Sequence, residues 1–323
     1  MNNTSLLNTN PDSLVELRDI RFGYGERVIL DGISLTIPRG TVTALMGASG
    51  GGKTTVLRLI GGQYRAQSGG LTFDGEDAHA AFKSNDAKAM RKRIQMIFQD
   101  PISSLDPRMT VQQLIDEPLE IWGRGTREER DERIKTLLNN VGLEPELVLN
   151  RRSYEFSGGQ CQRISIARAL ALDPRMLICD EPVSALDVSI QAQILNLLQD
   201  MKDQFGLTMV FISHDLAVVK AVSDRVMVMY LGKICEIAAP DALYSKPAHH
   251  YTKALLDSVP IADPTRQRKT ELLQGEPPSP MNPPTGCRFR TRCAAATLLC
   301  AEQEPQLREV SPGQFVACHH PIV

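Results

Sequence analysis

Leu45-Met46-Gly47-Ala48-Ser49-Gly50-Gly51-Gly52-Lys53-Thr54 is the stretch on which the fold turns. Its last eight residues fit the phosphate-binding pattern G-x-x-x-x-G-K-[ST] at every fixed position. Ahead of it, Thr41 to Met46 has the continuous apolar character of a short buried strand; behind it, Thr55 to Ile60 reads as the start of a helix. Glycine has no side chain to block approach, so Gly47, Gly50, Gly51 and Gly52 can wrap backbone N–H groups around an anion. The helix N-terminus adds positive partial charge at the same place. Lys53 is expected to reach the β and γ phosphates, and the Thr54 hydroxyl to sit on Mg²⁺. The candidate phosphate ligands are therefore Gly47, Ser49, Gly50, Gly51, Gly52, Lys53, Thr54 and Thr55, around a nucleoside triphosphate.

Outward from the loop, strand and helix patterns alternate. Leu14–Ile20 and Val28–Ile37 read as strands, and Gly69–Gly75 as a turn leading into a hairpin. Asp77 to Arg93 is polar and weakly patterned. Ile94–Gln99 reads as a short strand. From about Thr110 to Leu172 the helical period dominates, with Thr126 and Glu129 in capping-box positions ahead of an apolar stripe at Ile134, Leu137, Leu138 and Val141. Met176–Cys179 is a further buried strand, followed by a helix near 188–205, a strand at 207–213, a helix at 216–222 and a strand at 226–231. Such alternation predicts an α/β fold with a mainly parallel sheet covered on both faces. Residues 1–13 are polar and expected to fray. Past Pro247 prolines and then cysteines accumulate, which reads as an appended module with little regular structure.

Composition limits the rest. The 323 residues allow one large domain and a smaller one. A net charge of −2 gives no basic footprint for nucleic acid. No export signal and no apolar run of about 18 residues is visible. Seven cysteines, an odd number, fit reduced thiols in a cytoplasm.

A phosphate loop needs a second acidic strand end to hold Mg²⁺, and Asp180 supplies it. Glu181, one residue on, is placed to polarise an attacking water, a role worth about 10²–10⁴-fold. Ser157-Gly158-Gly159 presents a hydroxyl and bare amides at a helix start, a second anion cradle.

Phe156-Ser157-Gly158-Gly159-Gln160, some twenty residues ahead of Asp180-Glu181, resembles the signature of ATP-binding cassette (ABC) ATPases. Gln99, Ser184-Ala185-Leu186-Asp187 and His214 complete the set in the family's order. The resemblance implies a P-loop ABC nucleotide-binding domain over residues 14–246, with a helical subdomain near 100–172 and a C-terminal extension over 247–323. It further implies a head-to-tail dimer in which Ser157, Gly158, Gly159 and Gln160 cover the ATP held by a partner cassette. Asp187 then lies at the dimer interface, and Gln99 senses the γ-phosphate and the metal while contacting a membrane partner. His214 holds the attacking water, and Tyr24 stacks on adenine. Expected metal ligands for Mg²⁺ are Thr54, Gln99 and Asp180.

The stretches Gln99–Arg108, Asp180–Ser189 and Gly275–Cys287 resemble more closely the dipeptide and oligopeptide importer branch. That branch implies transmembrane permease subunits, a related but different second cassette, a substrate-binding protein and a peripheral place on the cytoplasmic face of the membrane. Arg58-Leu59-Ile60-Gly61-Gly62-Gln63 and the strand before the loop look more like cassettes that power phospholipid trafficking, an alternative cargo. Divergence and a join of two sequences near 77–92 both account for the mixture. Cys287, Cys293, Cys300 and Cys318 fall at C-x5-C-x6-C-x17-C, not the short-spaced pairing of structural zinc. The peptide branch implies a [4Fe-4S] cluster on these four; zinc with His319 and His320, or unmetallated thiols, are the other readings.

Overall fold

A computed structural model describes residues 12–25, 27–84, 87–258, 276, 278–279 and 281–322. The polar stretch at 1–11 and much of the proline-rich segment lie outside the described residues. In chain order the elements are β1 (Ser13–Tyr24), β2 (Arg27–Pro38), β3 (Val42–Met46), α1 (Lys53–Ile60), β4 (Ser68–Phe73), β5 (Glu76–Asp77), α2 (Ala78–Ala81), α3 (Ala87–Arg93) and β6 (Ile94–Ile97). Then come α4 (Val111–Ile121), α5 (Arg127–Asn140), α6 (Pro145–Val148), α7 (Gly158–Leu170), β7 (Met176–Asp180), α8 (Val188–Phe205) and β8 (Thr208–Ile212). The chain continues through α9 (Leu216–Val222), β9 (Arg225–Tyr230), β10 (Lys233–Ala238), α10 (Pro240–Ser245), α11 (His250–Asp257), α12 (Leu298–Glu302), β11 (Arg308–Ser311) and β12 (Gln314–Val316). These elements fall into two compact units, Met1–His79 with Ile212–Val323, and Ala80–Phe211.

In the first unit β1 and β2 form a long antiparallel hairpin, extended by β4 and β5 in the order β2-β1-β4-β5. The sheet that carries the phosphate loop starts from β3, whose five residues are all buried. An unbroken apolar run is what a parallel strand covered on both faces requires. β3 pairs in parallel with β9, with Ala44 opposite Val226 and Met46 opposite Val228. β10 then pairs antiparallel with β9 and β12, and β12 with β11. Ala44, Met46, Val226, Val228, Tyr230, Tyr251 and Phe289 belong to one buried cluster. The C-terminal residues thus form regular elements where sequence predicts few. Phe315 and Val316 are too short a run to read as a strand without the β10 edge they join.

In the second unit β6 and β7 pair in parallel, Ile94 opposite Met176. Three helices start on reciprocal capping boxes: Thr110 with Gln113, Thr126 with Glu129, and Ser157 with Gln160. Each box satisfies two N–H groups that a helix start otherwise leaves unpaired. α5 buries Ile134, Leu137 and Leu138, as its stripe predicts, and Gly142 follows its C-cap at φ +73°. α8 buries Ile194, Leu197, Leu198 and Met201 and stops at Gly206 in the left-handed region. The weakly patterned 77–93 region forms α2 and α3; these helices bury only Ala78 and Met90, too little to leave a periodic trace. The architecture is α/β with a mainly parallel core sheet, as the alternation implies. Among the described residues no helix is long and apolar enough to cross a membrane.

Candidate nucleotide site

The predicted site residues divide between the two units. The first holds Tyr24, the phosphate loop, His214 and the four late cysteines; the second holds Gln99, Ser157–Gln160, Asp180, Glu181 and Asp187.

Between β3 and α1 the chain makes the turn that its glycines allow. Gly47, Gly50 and Gly52 adopt φ of +142°, +76° and +94°. These are conformations that side-chain-bearing residues rarely take. A Cβ on Gly47 would lie 2.1 Å from the Met229 carbonyl oxygen, and one on Gly52 would meet Leu30 Cδ2 at 2.7 Å. Gly51 N–H donates to Ala48 O at 3.2 Å, and Gly51 O accepts from Gly232 N–H at 3.0 Å. The loop is therefore tied at its centre, and α1 begins directly on Gly52 with no side-chain cap. Its uncapped N–H groups are suited to an anion. Lys53 Nζ donates to Gly47 O at 2.7 Å and Ala48 O at 3.0 Å, folded along the loop. Ser49, Gly50 and the first-turn residues Thr54 and Thr55 sit where the pattern puts them.

Tyr24 ends β1 and is 49% exposed. It packs edge-on to Phe22 at 5.2 Å and to Tyr64 at 5.8 Å, while Arg58 Nη1 donates to the Tyr64 hydroxyl at 2.5 Å. Tyr64 and Arg58, which hold the exposed ring in place, escape sequence reading because Tyr64 lies in a polar turn after α1. His214 is exposed after β8, next to Asp215, which N-caps α9 through Ala217 N–H at 2.8 Å.

In the second unit Gln99 and Glu181 are brought together: Gln99 Nε2 donates to Glu181 Oε2 at 3.0 Å. Glu181 takes φ +50°, and its carbonyl oxygen accepts from Ser184 N–H at 3.2 Å and Ser184 Oγ–H at 3.0 Å. A non-glycine residue held left-handed at a strand end is a pattern concentrated at functional sites. Asp180 is half-buried at the end of β7. Ser157 N-caps α7, accepting from Gln160 N–H at 3.3 Å. The glycines after it serve packing as well as anion access. A Cβ on Gly159 would lie 2.6 Å from Ile190 Cγ2, and one on Gly158 3.3 Å from Leu186 Cδ2. The signature thus seats on the segment around Asp187, whose own side chain makes no capping bond to α8.

Among oxygen donors of the kind Mg²⁺ takes, the first unit offers the Thr54 hydroxyl and the second the Gln99 amide oxygen and the Asp180 carboxylate. They are hard oxygen ligands of the few-protein-ligand kind that this ion takes beside phosphates. The cysteines fit a metal less well. Burial, then Cys300 and Cys293, raise the Cys287 thiol, and burial followed by the other three thiols pushes Cys318 up to about 11. Cys287 and Cys300 are tied through the backbone, Cys287 N–H donating to Cys300 O at 2.8 Å. Yet among the described residues no three His, Cys, Asp or Glu side chains stand close enough to hold a metal ion. The rings of His319 and His320 face Gln303 O and Thr297 Oγ1, at 3.0 and 2.9 Å. The arrangement supports neither the iron–sulfur nor the zinc expectation.

The fold and its glycine cradle define a P-loop protein that binds a nucleoside triphosphate. The ABC transporter family profile matches residues 30–184, and the profile of the oligopeptide/dipeptide transporter C-terminal region matches residues 235–300. The chain is 51% identical to the oligopeptide transport ATP-binding protein OppF of Salmonella typhimurium, over 90% of this chain and 86% of that one. It is 46% identical to the oligopeptide transport ATP-binding protein AppF of Bacillus subtilis, over 96% and 98% of the two chains. An ATP-binding cassette in a post-hydrolysis state bound to ADP and Pi superposes with a TM-score of 0.61 at 30% identity, covering 70% of this chain and 98% of that one. The chain belongs to the ATP-binding subunits of ABC transporters, a family of ATPases, and it carries the C-terminal region of the oligopeptide/dipeptide branch. Since the AppF match takes in 96% of the chain, the first eighty residues fall largely inside it.

Proposed function

We propose that this chain is the ATP-hydrolysing subunit of an importer for dipeptides or oligopeptides, with the ATPase domain at 14–246 and the extension at 247–323. The observation that carries the reading is the left-handed glycine turn from Gly47 to Gly52, which ends on the uncapped N-terminus of α1. The amides of this turn, with Ser49, Lys53, Thr54 and Thr55, bind the triphosphate. The ring of Tyr24 takes the adenine. Thr54, Gln99 and Asp180 hold Mg²⁺, which offsets charge on the β and γ phosphates. Glu181 orients the attacking water as general base, and its bond to Gln99 keeps the carboxylate aimed. His214 steadies the γ-phosphate side. Ser157, Gly158, Gly159, Gln160 and Asp187 act on the nucleotide of a second, related cassette.

The names of the relatives favour peptide over phospholipid as cargo, and cargo choice rests with permease subunits and a substrate-binding protein. The chain sits peripherally on the cytoplasmic face of the membrane, docked on those permeases, with no role for nucleic acid. Glu181→Gln tests the mechanism. With partner subunits present, ATP turnover should fall about 10²–10⁴-fold while Mg-ATP binding and ATP-driven dimerisation persist. Turnover at the wild-type rate would remove Glu181 from the role of base.

A further inference from the structure

Tyr251, on the first turn of α11, is 1% exposed, and its hydroxyl accepts a hydrogen bond from the Ala48 N–H at 2.8 Å. The two residues are 203 positions apart. Ala48 is the second residue of the phosphate loop, and the peptide it shares with Gly47 is already confined by the Met229 carbonyl. The carbonyls of this same pair, Gly47 O and Ala48 O, receive the Lys53 ammonium. One tyrosine from the C-terminal region thus fixes the N–H of a residue whose carbonyl seats the lysine.

The tyrosine is itself clamped. Its ring centroid lies 4.6 Å from Tyr230 on β9 and 5.3 Å from Phe289, and Phe289 meets Tyr230 edge-on at 5.4 Å. Phe289 is buried and lies two residues past Cys287, whose N–H donates to Cys300 O at 2.8 Å. Next to it, Arg288 donates to Leu231 O and to Asp31 Oδ2, the latter at 3.0 Å, which fastens this segment to β2 and the end of β9. A continuous set of packed side chains therefore runs from the cysteine-rich module to the loop.

We infer that Tyr251 is a positioning residue for the phosphate loop, and that the C-terminal extension, acting through Phe289 and Tyr251, sets the affinity for nucleotide. This rests on the reading of Gly47–Thr54 as the phosphate site. A loop already held in its binding shape loses less conformational freedom when ATP arrives, so the contact raises affinity without touching the bond that breaks.

The test is titration of the full chain with Mg²⁺ and the fluorescent analogue mant-ATP, alongside ATP turnover with partner subunits. Tyr251→Phe deletes one oxygen and keeps the ring. Its dissociation constant should rise about five- to tenfold, the equivalent of one hydrogen bond, and KM should rise with it while kcat stays within twofold. Phe289→Leu should shift affinity in the same direction by about two- to fivefold, whereas Leu298→Ser, at a surface position of α12, should leave it unchanged. Lys53→Ala separates the two layers of the argument. If that variant still binds as the wild type does, the phosphate-site reading fails. If it loses binding but Tyr251→Phe matches the wild type within twofold, or loses only melting temperature, the positioning inference alone is overturned.

Discussion

Glu236 on β10 is fully buried, and its two oxygens serve three donors from two separate segments. Oε1 accepts from Ala248 N–H at 2.8 Å and from Gln314 Nε2–H at 2.8 Å, and Oε2 accepts from His249 N–H at 2.9 Å. The side chain thereby clips β12 and the start of α11 to the sheet. Glu236→Ala leaves the buried Ala248 and His249 N–H groups without their acceptor and takes one of two acceptors from the Gln314 amide, which keeps Lys246 O at 2.9 Å. Each orphaned N–H costs about 1–3 kcal/mol, and partial access of water keeps the sum near the low end, about 2–3 kcal/mol. Against a typical global stability of about 5–15 kcal/mol, such a loss should open the clip locally before the rest of the unit unfolds. Backbone amide exchange read on peptides covering 314–318 and 247–251 should accelerate by about 10²-fold, since about 1.4 kcal/mol is one decade. Peptides covering β3 report on the sheet centre and should change far less. Glu236→Gln retains one oxygen for two donors but turns an NH₂ toward the His249 N–H, so it should fall between wild type and alanine. If Glu236→Ala exchanges at β12 within threefold of wild type, these three bonds do not hold the extension and the reasoning fails.

Two further outcomes follow from the same unit. His249 is buried with Nδ1 accepting from Tyr251 N–H at 3.0 Å; burial, reinforced by His250, lowers its pKa from 6.5 to about 3, the backbone at Ala317 acting the other way. The unfolded chain therefore takes up a proton between pH 6.5 and 3 that the native state refuses, and stability, fully present above 6.5, drains away as pH falls, by up to about 1.4 kcal/mol per unit. His249→Asn should flatten that acid slope in urea unfolding series at pH 7, 6 and 5; an unchanged slope would clear His249 of the effect. Gly47→Ala places a methyl 2.1 Å from Met229 O at φ +142°. It should abolish mant-ATP binding while leaving far-UV circular dichroism largely intact, and retained affinity would contradict the described loop geometry.

Local chemistry made much of this protein legible before any coordinates. The glycine spacing, the apolar runs of β3 and β7, and the capping box at Thr126 each act within a few residues, so α5, α8 and α9 emerge at or within a residue or two of their expected bounds. What sequence could not carry is who touches whom across long separations. The Gln99–Glu181 bond, the seating of Gly159 on Ile190 and the Glu236 clip all join segments that no periodicity links. The short strands of the extension have too few apolar residues to announce themselves, and they exist because β10 offers an edge. Tyr251 shows the difference most sharply. In the sequence it is one aromatic in a helix start, and only folding lays its hydroxyl against Ala48, because a hydrogen bond depends on position in space and not on distance along the chain.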